Sequence, residues 1–371
     1  MIYSVMLQKD SPVLPCLLYT SPYASDGPSV AVPRGCNLHL TSSNFLRHQP
    51  NFLVQDEHRR DKMADITTTE GWLTTADGQL YTKTWTPAAI TTKARLVFLH
   101  GFSDHCNCYT YLFTSLAQRG IKVYSYDQRG WGRSVHDRKQ RGLTGPTTRV
   151  MSDITAFIKD LPSEDSDIPL FLMGHSMGGG ETIVYASNGP SEVVSQIRGF
   201  LLESPLISLV SKPWKSTVFL GSLASKVMPN VPMLQKLDAS LMSRDPQVCK
   251  EWVNDELCHD TGTLEGLAGM LERTSGLEGG RTVLSEGRGE GGSTRIWHSH
   301  GTGDKICDYP ASKRWFDGLQ IEDKQFQTYE GWFHKLHAEP GKDKEQYAND
   351  VAQWVLDRSG PLPREPLKPR L

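Results

Sequence analysis

The sequence predicts an α/β fold, in which a mostly parallel sheet is flanked by helices and carries an inserted helical cap. From about Thr67 onward, short apolar segments typical of buried strands alternate with segments of helical spacing. This alternation favours parallel pairing, because each helix returns the chain to the same end of the sheet. The alternation stops between about residues 204 and 294 and then resumes, which indicates an insertion.

Each element is predicted from its local pattern. Gly71–Thr75 and Gln79–Trp85 are expected to form a hairpin, because the favoured turn Asp77-Gly78 lies between them. The later strands are expected at Arg95–Leu99, Ile121–Tyr126, Leu170–Met173, Gly199–Glu203, Arg295–Ser299 and Gln325–Tyr329. Helices are expected at Tyr109–Arg119, around Val150, Ile154, Phe157, Ile158 and Leu161, at Met177–Ser187 and at Asp343–Asp357.

Three regions are predicted along the chain. Residues 1–62 have no sustained period and many turn residues, which is typical of a disordered extension. Residues 63–358 are predicted to form the folded domain, with the cap at about 204–294. Residues 359–371 are rich in proline and are expected to form a disordered tail. Since Met63 opens the domain, we also hypothesise that translation begins there.

Composition excludes several classes of function. The net charge is −2 and no basic stripe is present, so a nucleic-acid partner is not expected. The seven cysteines are scattered and odd in number, which favours a reduced, cytoplasmic chain. Cys106-Asn107-Cys108 is too closely spaced for an ordinary zinc knuckle, so no metal and no other cofactor is predicted. No apolar run reaches the ~18 residues of a membrane span.

A nucleophilic serine is predicted at Ser176. It lies in Gly174-His-Ser-Met-Gly178, between an apolar strand and a helix, and so matches G-x-S-x-G. A serine on such a tight turn needs neighbours without side chains two positions before and after it. A phosphate-binding loop does not fit, because Ser176 stands where G-x-G-x-x-G needs glycine and a Walker loop needs lysine.

Acyl transfer also needs two donors for the developing oxyanion. One is expected to be the Met177 N–H, at the amino end of the helix that follows the serine. The other is expected to be the Phe102 N–H, because Gly101 lets the chain turn after the preceding strand. His100 and His175 flank glycines and are expected to support these turns by hydrogen bonding.

The acid and the base should follow the serine in the chain, in that order. Asp304 and Asp308 both follow the strand at Arg295–Ser299, and Asp304 is preferred because it comes directly after the glycine-rich turn. His334 and His337 both follow the last strand, and His334 is preferred because only a short loop precedes it.

Six segments together carry a family resemblance: TTEGWLTTADGQLYTKTW, FLHGFSDHC, YDQRGWGRS, GHSMGGG, HGTGDKICD and YEGWFHKLHAE. They span about Thr67 to Trp354, and they resemble the fungal type of monoacylglycerol lipase within the α/β hydrolases. The resemblance implies an α/β-hydrolase fold and hydrolysis of monoacylglycerols to glycerol and fatty acid. It implies Ser176, Asp304 and His334 as the triad, with Phe102 and Met177 at the oxyanion positions.

In this reading the cap determines the substrate. The residues expected to contact the acyl chain are Leu206, Ile207, Leu209, Val218, Phe219 and Leu223, although the same side chains could form the core of the cap. Lys212, Lys215 and Lys226 lie among them, so contact with a membrane or lipid-droplet surface is a further hypothesis.

Two alternatives remain open at this point. A lysophospholipase or a broad-specificity carboxylesterase would use the same three residues. A non-catalytic relative that binds a ligand or partner is the alternative from another class of protein, although such relatives usually lack one member of the triad.

Overall fold

The computed structural model describes residues 66–362. The predicted extension at residues 1–62 and residues 363–371 of the predicted tail lie outside the described residues. Within the described part of the chain, no helix is both long enough and apolar enough to cross a membrane.

Between residues 66 and 362 the chain forms ten strands and nine α-helices. The strands are β1 (Ile66–Thr75), β2 (Gly78–Pro87), β3 (Ala94–Leu99), β4 (Ile121–Tyr126), β5 (Leu170–His175), β6 (Ile197–Glu203), β7 (Pro232–Leu234), β8 (Thr261–Thr263), β9 (Arg295–Gly301) and β10 (Asp323–Tyr329). The helices are α1 (Thr110–Ala117), α2 (Thr147–Lys159), α3 (Met177–Asn188), α4 (Ser191–Val194), α5 (Lys215–Ser225), α6 (Pro246–Asn254), α7 (Leu264–Glu278), α8 (Tyr309–Asp317) and α9 (Asp343–Asp357).

Eight of these strands form one sheet, in the order β1-β2-β4-β3-β5-β6-β9-β10. The pairs β1–β2 and β2–β4 are antiparallel, and the pairs from β4 to β10 are parallel. The predicted hairpin is present, with Thr75 opposite Gly78 and a positive φ of 120° at that glycine. The mostly parallel sheet flanked by helices confirms the predicted fold class.

Both faces of the sheet are buried. Along β3, Val97 and Leu99 belong to one core cluster, which includes residues of α2 and α3. Leu96 and Phe98 point to the other face, where residues of α1 and α9 form a second cluster. Alternate residues of a strand point to opposite faces, so a strand with helices on both sides is apolar throughout. This is why the central strands appear in the sequence as short continuous apolar runs.

The segment between β6 and β9 contains α5, α6 and α7 and the two-stranded sheet β7–β8. Helix α7 contacts α3 through a buried hydrogen bond, in which Arg273 Nη2 donates to Glu181 Oε1 at 3.0 Å. Burial raises the pKa of the Glu181 carboxyl to about 7, although the charge of Arg273 acts in the opposite direction. This pair joins the inserted segment to the helix that begins beside Ser176.

The buried Glu181 should make the protein less stable as the pH rises. Its pKa is higher in the native state than in the unfolded chain, so the native state holds a proton that the unfolded chain has released. Between about pH 5 and pH 7.5 the free energy of unfolding should fall by roughly 2–3 kcal/mol more in the wild type than in Glu181→Gln. Urea unfolding at both pH values measures this. Glu272→Gln, on the exposed side of α7, should behave as the wild type; an equal pH dependence in all three proteins would contradict the assignment.

Candidate active site

Ser176 occupies a strained turn between β5 and α3, with φ 54° and ψ −115°. The two glycines around it are required by close contacts. A Cβ at Gly174 would lie 2.2 Å from the carbonyl oxygen of Gly178, and a Cβ at Gly178 would lie 2.2 Å from that of Leu99. The Ser176 N–H donates to the carbonyl of Glu203 at 2.9 Å, which fixes the turn to the end of β6.

The structure brings Ser176, Asp304 and His334 together. Ser176 follows β5, Asp304 follows β9 and His334 follows β10, so all three lie at the carboxyl ends of parallel strands. His334 Nε2 is 2.9 Å from Ser176 Oγ, and His334 Nδ1 is 2.8 Å from Asp304 Oδ2. All three side chains are buried. In this arrangement the imidazole can accept the hydroxyl proton while the carboxylate holds its opposite nitrogen.

Asp304 is held as a carboxylate by four contacts. Besides His334, the ring of His300 reaches Oδ2 with its Nε2 at 3.1 Å. The backbone N–H groups of Ile306 and Cys307 donate to Oδ1 at 2.8 and 3.0 Å. Burial opposes the charge on Asp304, but the two histidines outweigh it and hold the pKa of this carboxyl well below its usual range. The sequence analysis does not predict the contact of His300 with Asp304. The only signal was that His300 lies near the end of β9, the strand that leads to Asp304.

Asp308 and His337, the less favoured candidates for the acid and the base, lie outside the Ser176–His334–Asp304 cluster. Asp308 is the N-cap of α8, where Oδ1 accepts from the N–H of Ala311 at 3.0 Å. His337 Nδ1 is 2.6 Å from Glu203 Oε1, and the backbone N–H of His337 donates to the same carboxylate oxygen at 3.0 Å. Neither side chain contacts Ser176 or His334 by hydrogen bonding within the described residues.

The expected oxyanion residues lie next to the serine. Met177 is the first residue of α3, and the first N–H groups of a helix have no partner within that helix. The turn after β3 approaches Ser176 so closely that a Cβ at Gly101 would lie 3.3 Å from the serine Cβ. Phe102 is the next residue of this turn, and its ring packs edge-on against Trp131.

A buried polar network holds the Gly101–Phe102 turn in place. Tyr109 OH accepts from the Gly101 N–H at 3.0 Å and donates to Asp104 Oδ2 at 2.6 Å. Asp104 Oδ1 in turn accepts from Lys335 Nζ at 2.6 Å and from Trp252 Nε1 at 2.8 Å. Burial opposes ionisation of Asp104, but the charge of Lys335 dominates and keeps the pKa of the carboxyl well below its usual range. The network therefore connects the turn to α6 of the cap and to the neighbour of His334.

The six apolar residues expected to contact the acyl chain differ in burial: two are buried, two are half-buried and two are exposed. Leu206 is buried beside the serine, since its N–H donates to the Ser176 carbonyl at 2.8 Å, and Ile207 belongs to the core of the sheet domain. Leu209 is half-buried and bridges to Cys307, close to Asp304. Val218 is half-buried on α5, whereas Phe219 and Leu223 on the same helix are exposed.

Comparisons with known proteins show the family of this chain. Residues 90–341, more than half of the chain, match a family model described as serine aminopeptidase, S33. A Schizosaccharomyces pombe protein named "Putative monoglyceride lipase" is 33% identical over 288 residues, covering 76% of this chain and 72% of that protein. The chain belongs to the monoglyceride lipase-like α/β hydrolases.

Two further relatives of this hydrolase support the assignment. The monoglyceride lipase of Rattus norvegicus is 29% identical over 297 residues, covering 77% of this chain and 90% of that protein. Among solved structures, a soluble variant of the Saccharomyces cerevisiae monoglyceride lipase has a TM-score of 0.69 at 24% identity, covering 79% of this chain and 97% of that one. The likeness to the solved structure supports the fold. The family match and the monoglyceride lipase relatives identify the chain as a carboxylic ester hydrolase of the lipase and esterase type.

A side-chain methyl group at Gly178, beside Ser176, should destabilise the protein. Gly178→Ala would place a Cβ against the Leu99 carbonyl, which is backbone and cannot move aside, so we expect a loss of more than about 2 kcal/mol in the free energy of unfolding. Gly221→Ala on α5 is the matched control, because no atom lies within 4 Å of its added Cβ. That variant should be as stable as the wild type or slightly more stable. Chemical denaturation distinguishes the two, and equal stability of both variants would contradict the packing argument.

Proposed function

We propose that this hydrolase cleaves monoacylglycerols to glycerol and free fatty acid through an acyl-enzyme on Ser176. The observation that carries the proposal is the hydrogen-bonded chain from Asp304 through His334 to the serine Oγ, with distances of 2.8 and 2.9 Å. Several relatives are named monoglyceride lipases, in Rattus norvegicus and in Saccharomyces cerevisiae among others, which supports this choice of ester.

In the acylation step, His334 Nε2 takes the hydroxyl proton as Ser176 Oγ attacks the ester carbonyl carbon. Asp304 holds the Nδ1–H of the imidazole and stabilises the imidazolium that forms. The N–H groups of Phe102 and Met177 bind the oxyanion of the tetrahedral intermediate. His334 then gives its proton to the glycerol oxygen, the C–O bond breaks and glycerol leaves.

In the deacylation step, His334 activates a water molecule, which attacks the acyl carbonyl and displaces Ser176 Oγ. The same imidazole returns the proton to the serine, and the fatty acid leaves. Every step uses groups of this chain and water. The backbone contacts of Leu206 with Ser176 and of Leu209 with Cys307 place these two apolar residues close to the serine in the chain fold, which supports an apolar environment for the acyl chain.

We further propose that α5 and its flanks rest on an anionic lipid surface, from which the substrate enters. No residue of α5 is buried, and large apolar side chains are exposed there: Trp214 by 73%, Phe219 by 70% and Val227 by 79% of their surface. A contiguous exposed apolar surface of this kind marks an interaction site. Lys215 and Lys226 are exposed beside these side chains and would favour anionic headgroups.

Substitutions should lower kcat at the three proposed triad residues but not at Asp308, the alternative acid. Ser176→Ala, Asp304→Asn and His334→Ala should each lose on the order of 10⁴-fold in kcat on a monoacylglycerol, because each removes a group that acts on the same proton transfer. Asp308→Asn should keep wild-type kcat, since Asp308 caps α8. Circular dichroism should verify that all four variants fold.

Fluorophosphonate labelling and a panel of lipid esters complete this test. The wild-type serine should be labelled and Ser176→Ala should not. Absence of labelling in the folded wild type would contradict serine catalysis. Higher kcat/KM on lysophospholipids or short-chain esters than on monoacylglycerols would replace the proposed substrate with the corresponding alternative.

Binding to lipid should depend on the exposed face of α5. Phe219→Ser combined with Leu223→Ser should reduce sedimentation with phosphatidylserine-containing vesicles at least ten-fold, because it removes apolar surface from the contact. Turnover of a short-chain soluble ester should remain within about two-fold of wild type, since both side chains are exposed whereas the three triad side chains are buried. Ile90→Ser is the control, because Ile90 is exposed before β3, at the opposite end of the sheet. Unchanged sedimentation of the double variant would contradict the proposed surface.

A further inference from the structure

We propose that His105, Cys108 and Cys258 form a zinc site that joins the cap to the core of the hydrolase. Cys108 lies in the short turn after the Gly101–Phe102 segment, and Cys258 lies in the cap between α6 and β8. One ring nitrogen of His105 and the two Sγ atoms lie within 4.8 Å of one another. None of the three takes part in the proposed ester hydrolysis.

Two short turns bring the ligands together. The Cys108 N–H donates to the carbonyl of His105 at 3.0 Å, which places both side chains of this H-x-x-C sequence on one side of the turn. In the cap, the Cys258 N–H donates to the carbonyl of Asp255, also at 3.0 Å. A spacing of two residues between ligands is common in zinc sites. The spacing of Cys106 and Cys108 alone does not indicate a zinc site. The signal is the pair of His105 and Cys108.

The distance between the two sulfur atoms fits a tetrahedral metal. Cys108 Sγ and Cys258 Sγ are 3.7 Å apart. Two thiolates bound to the same tetrahedral zinc at about 2.3 Å lie about 3.8 Å apart, whereas a disulfide needs about 2.05 Å. The observed separation fits two ligands on one zinc ion, and in the metal-free protein it equally fits a thiol–thiol hydrogen bond.

His105 has the hydrogen bond that a metal-binding histidine usually makes. Its Nε2 is 2.9 Å from Asp255 Oδ2, a contact in which Nε2–H donates a hydrogen bond to the carboxylate and leaves Nδ1 for a metal. The other nitrogen, Nδ1, is buried and has no hydrogen-bond partner within residues 66–362. A carboxylate on one ring nitrogen and a lone pair on the other is the arrangement that orients histidine toward zinc. A buried ring nitrogen without a geometric hydrogen-bond partner is available to a metal ion.

The charges of the site also fit a divalent cation. Two thiolates and a neutral imidazole give a neutral complex with Zn²⁺, so no net charge remains at a partly buried position. The nearby Lys335 does not oppose the metal strongly, because Asp104 already pairs with it at 2.6 Å. Both cysteines are half-buried rather than enclosed, which leaves a route for the ion from solvent.

Zinc here would fix the position of the cap relative to the turn that carries Phe102. The site has three protein ligands, and a water molecule would complete the tetrahedron. Since the ligands come from residues 105–108 and 258, removing the metal should loosen the segment between α6 and β8 while the sheet remains intact.

Metal content tests the proposal directly. The full-length protein is purified under reducing conditions and dialysed against zinc chloride and then against metal-free buffer, and zinc is measured by mass spectrometry. Wild type should retain one zinc per chain. Cys108→Ser and Cys258→Ser should retain less than a tenth of that, and Asp255→Asn should bind zinc 10–100-fold more weakly. Cys249→Ser is the matched control, because Cys249 lies in the cap outside the site and donates to the Ser243 carbonyl.

Alkylation of the wild type gives a second test that does not depend on the folding of a variant. Zinc chloride should protect Cys108 and Cys258 from iodoacetamide, as mapped on peptides, and leave the reactivity of Cys249 unchanged. Zinc retained equally by all variants, no zinc uptake by the wild type, or a Cys108–Cys258 disulfide without metal uptake would each overturn the proposal.

Discussion

The strained backbone at Ser176 is the constraint on which the rest of the structure depends. A serine with φ 54° is unfavourable for an L-amino acid, and it persists only where surrounding contacts force it. Here helix α3 begins so close to the ends of β5 and β3 that only glycine fits at positions 174 and 178. The same close packing places the amino end of α3, with its partial positive charge, beside the serine. The geometry that costs stability at one residue therefore creates the electrostatic environment of the site.

Two buried carboxylates organise the loops around that serine. Asp304 is held by two histidines and two backbone N–H groups, and Asp104 is held by Lys335, Trp252 and Tyr109. Buried charges are tolerated only when they are paired and hydrogen-bonded in this way. Since His334 and Lys335 are neighbours in the chain, the loop after β10 contributes a partner to each carboxylate. The proposed base and the turn that carries Phe102 are thus positioned by one short segment.

The sequence predicted those parts of the protein that depend on local pattern. A strand such as Arg95–Leu99 is predicted because burial on both faces leaves a short continuous apolar run. Helix Asp343–Asp357 is predicted because burial on one face leaves a helical period. The proposed nucleophile, acid and base could be ranked because their order along the chain follows the order of strands. Contacts between distant residues leave no such pattern. The pair of Asp104 with Lys335, the support of Asp304 by His300 and the exposure of Phe219 are visible only in three dimensions.

The most direct measurement of the central claim is to trap the acyl-enzyme. Wild-type protein is mixed with a monoacylglycerol, quenched in acid on the millisecond to second scale, digested and analysed by mass spectrometry. The account predicts a peptide containing Ser176 that carries the mass of the fatty acyl group. Glycerol release should precede fatty acid release, and no adduct should form in His334→Ala. Release of fatty acid at the wild-type rate without any acylated peptide, or an acyl group on a residue other than Ser176, would contradict the account.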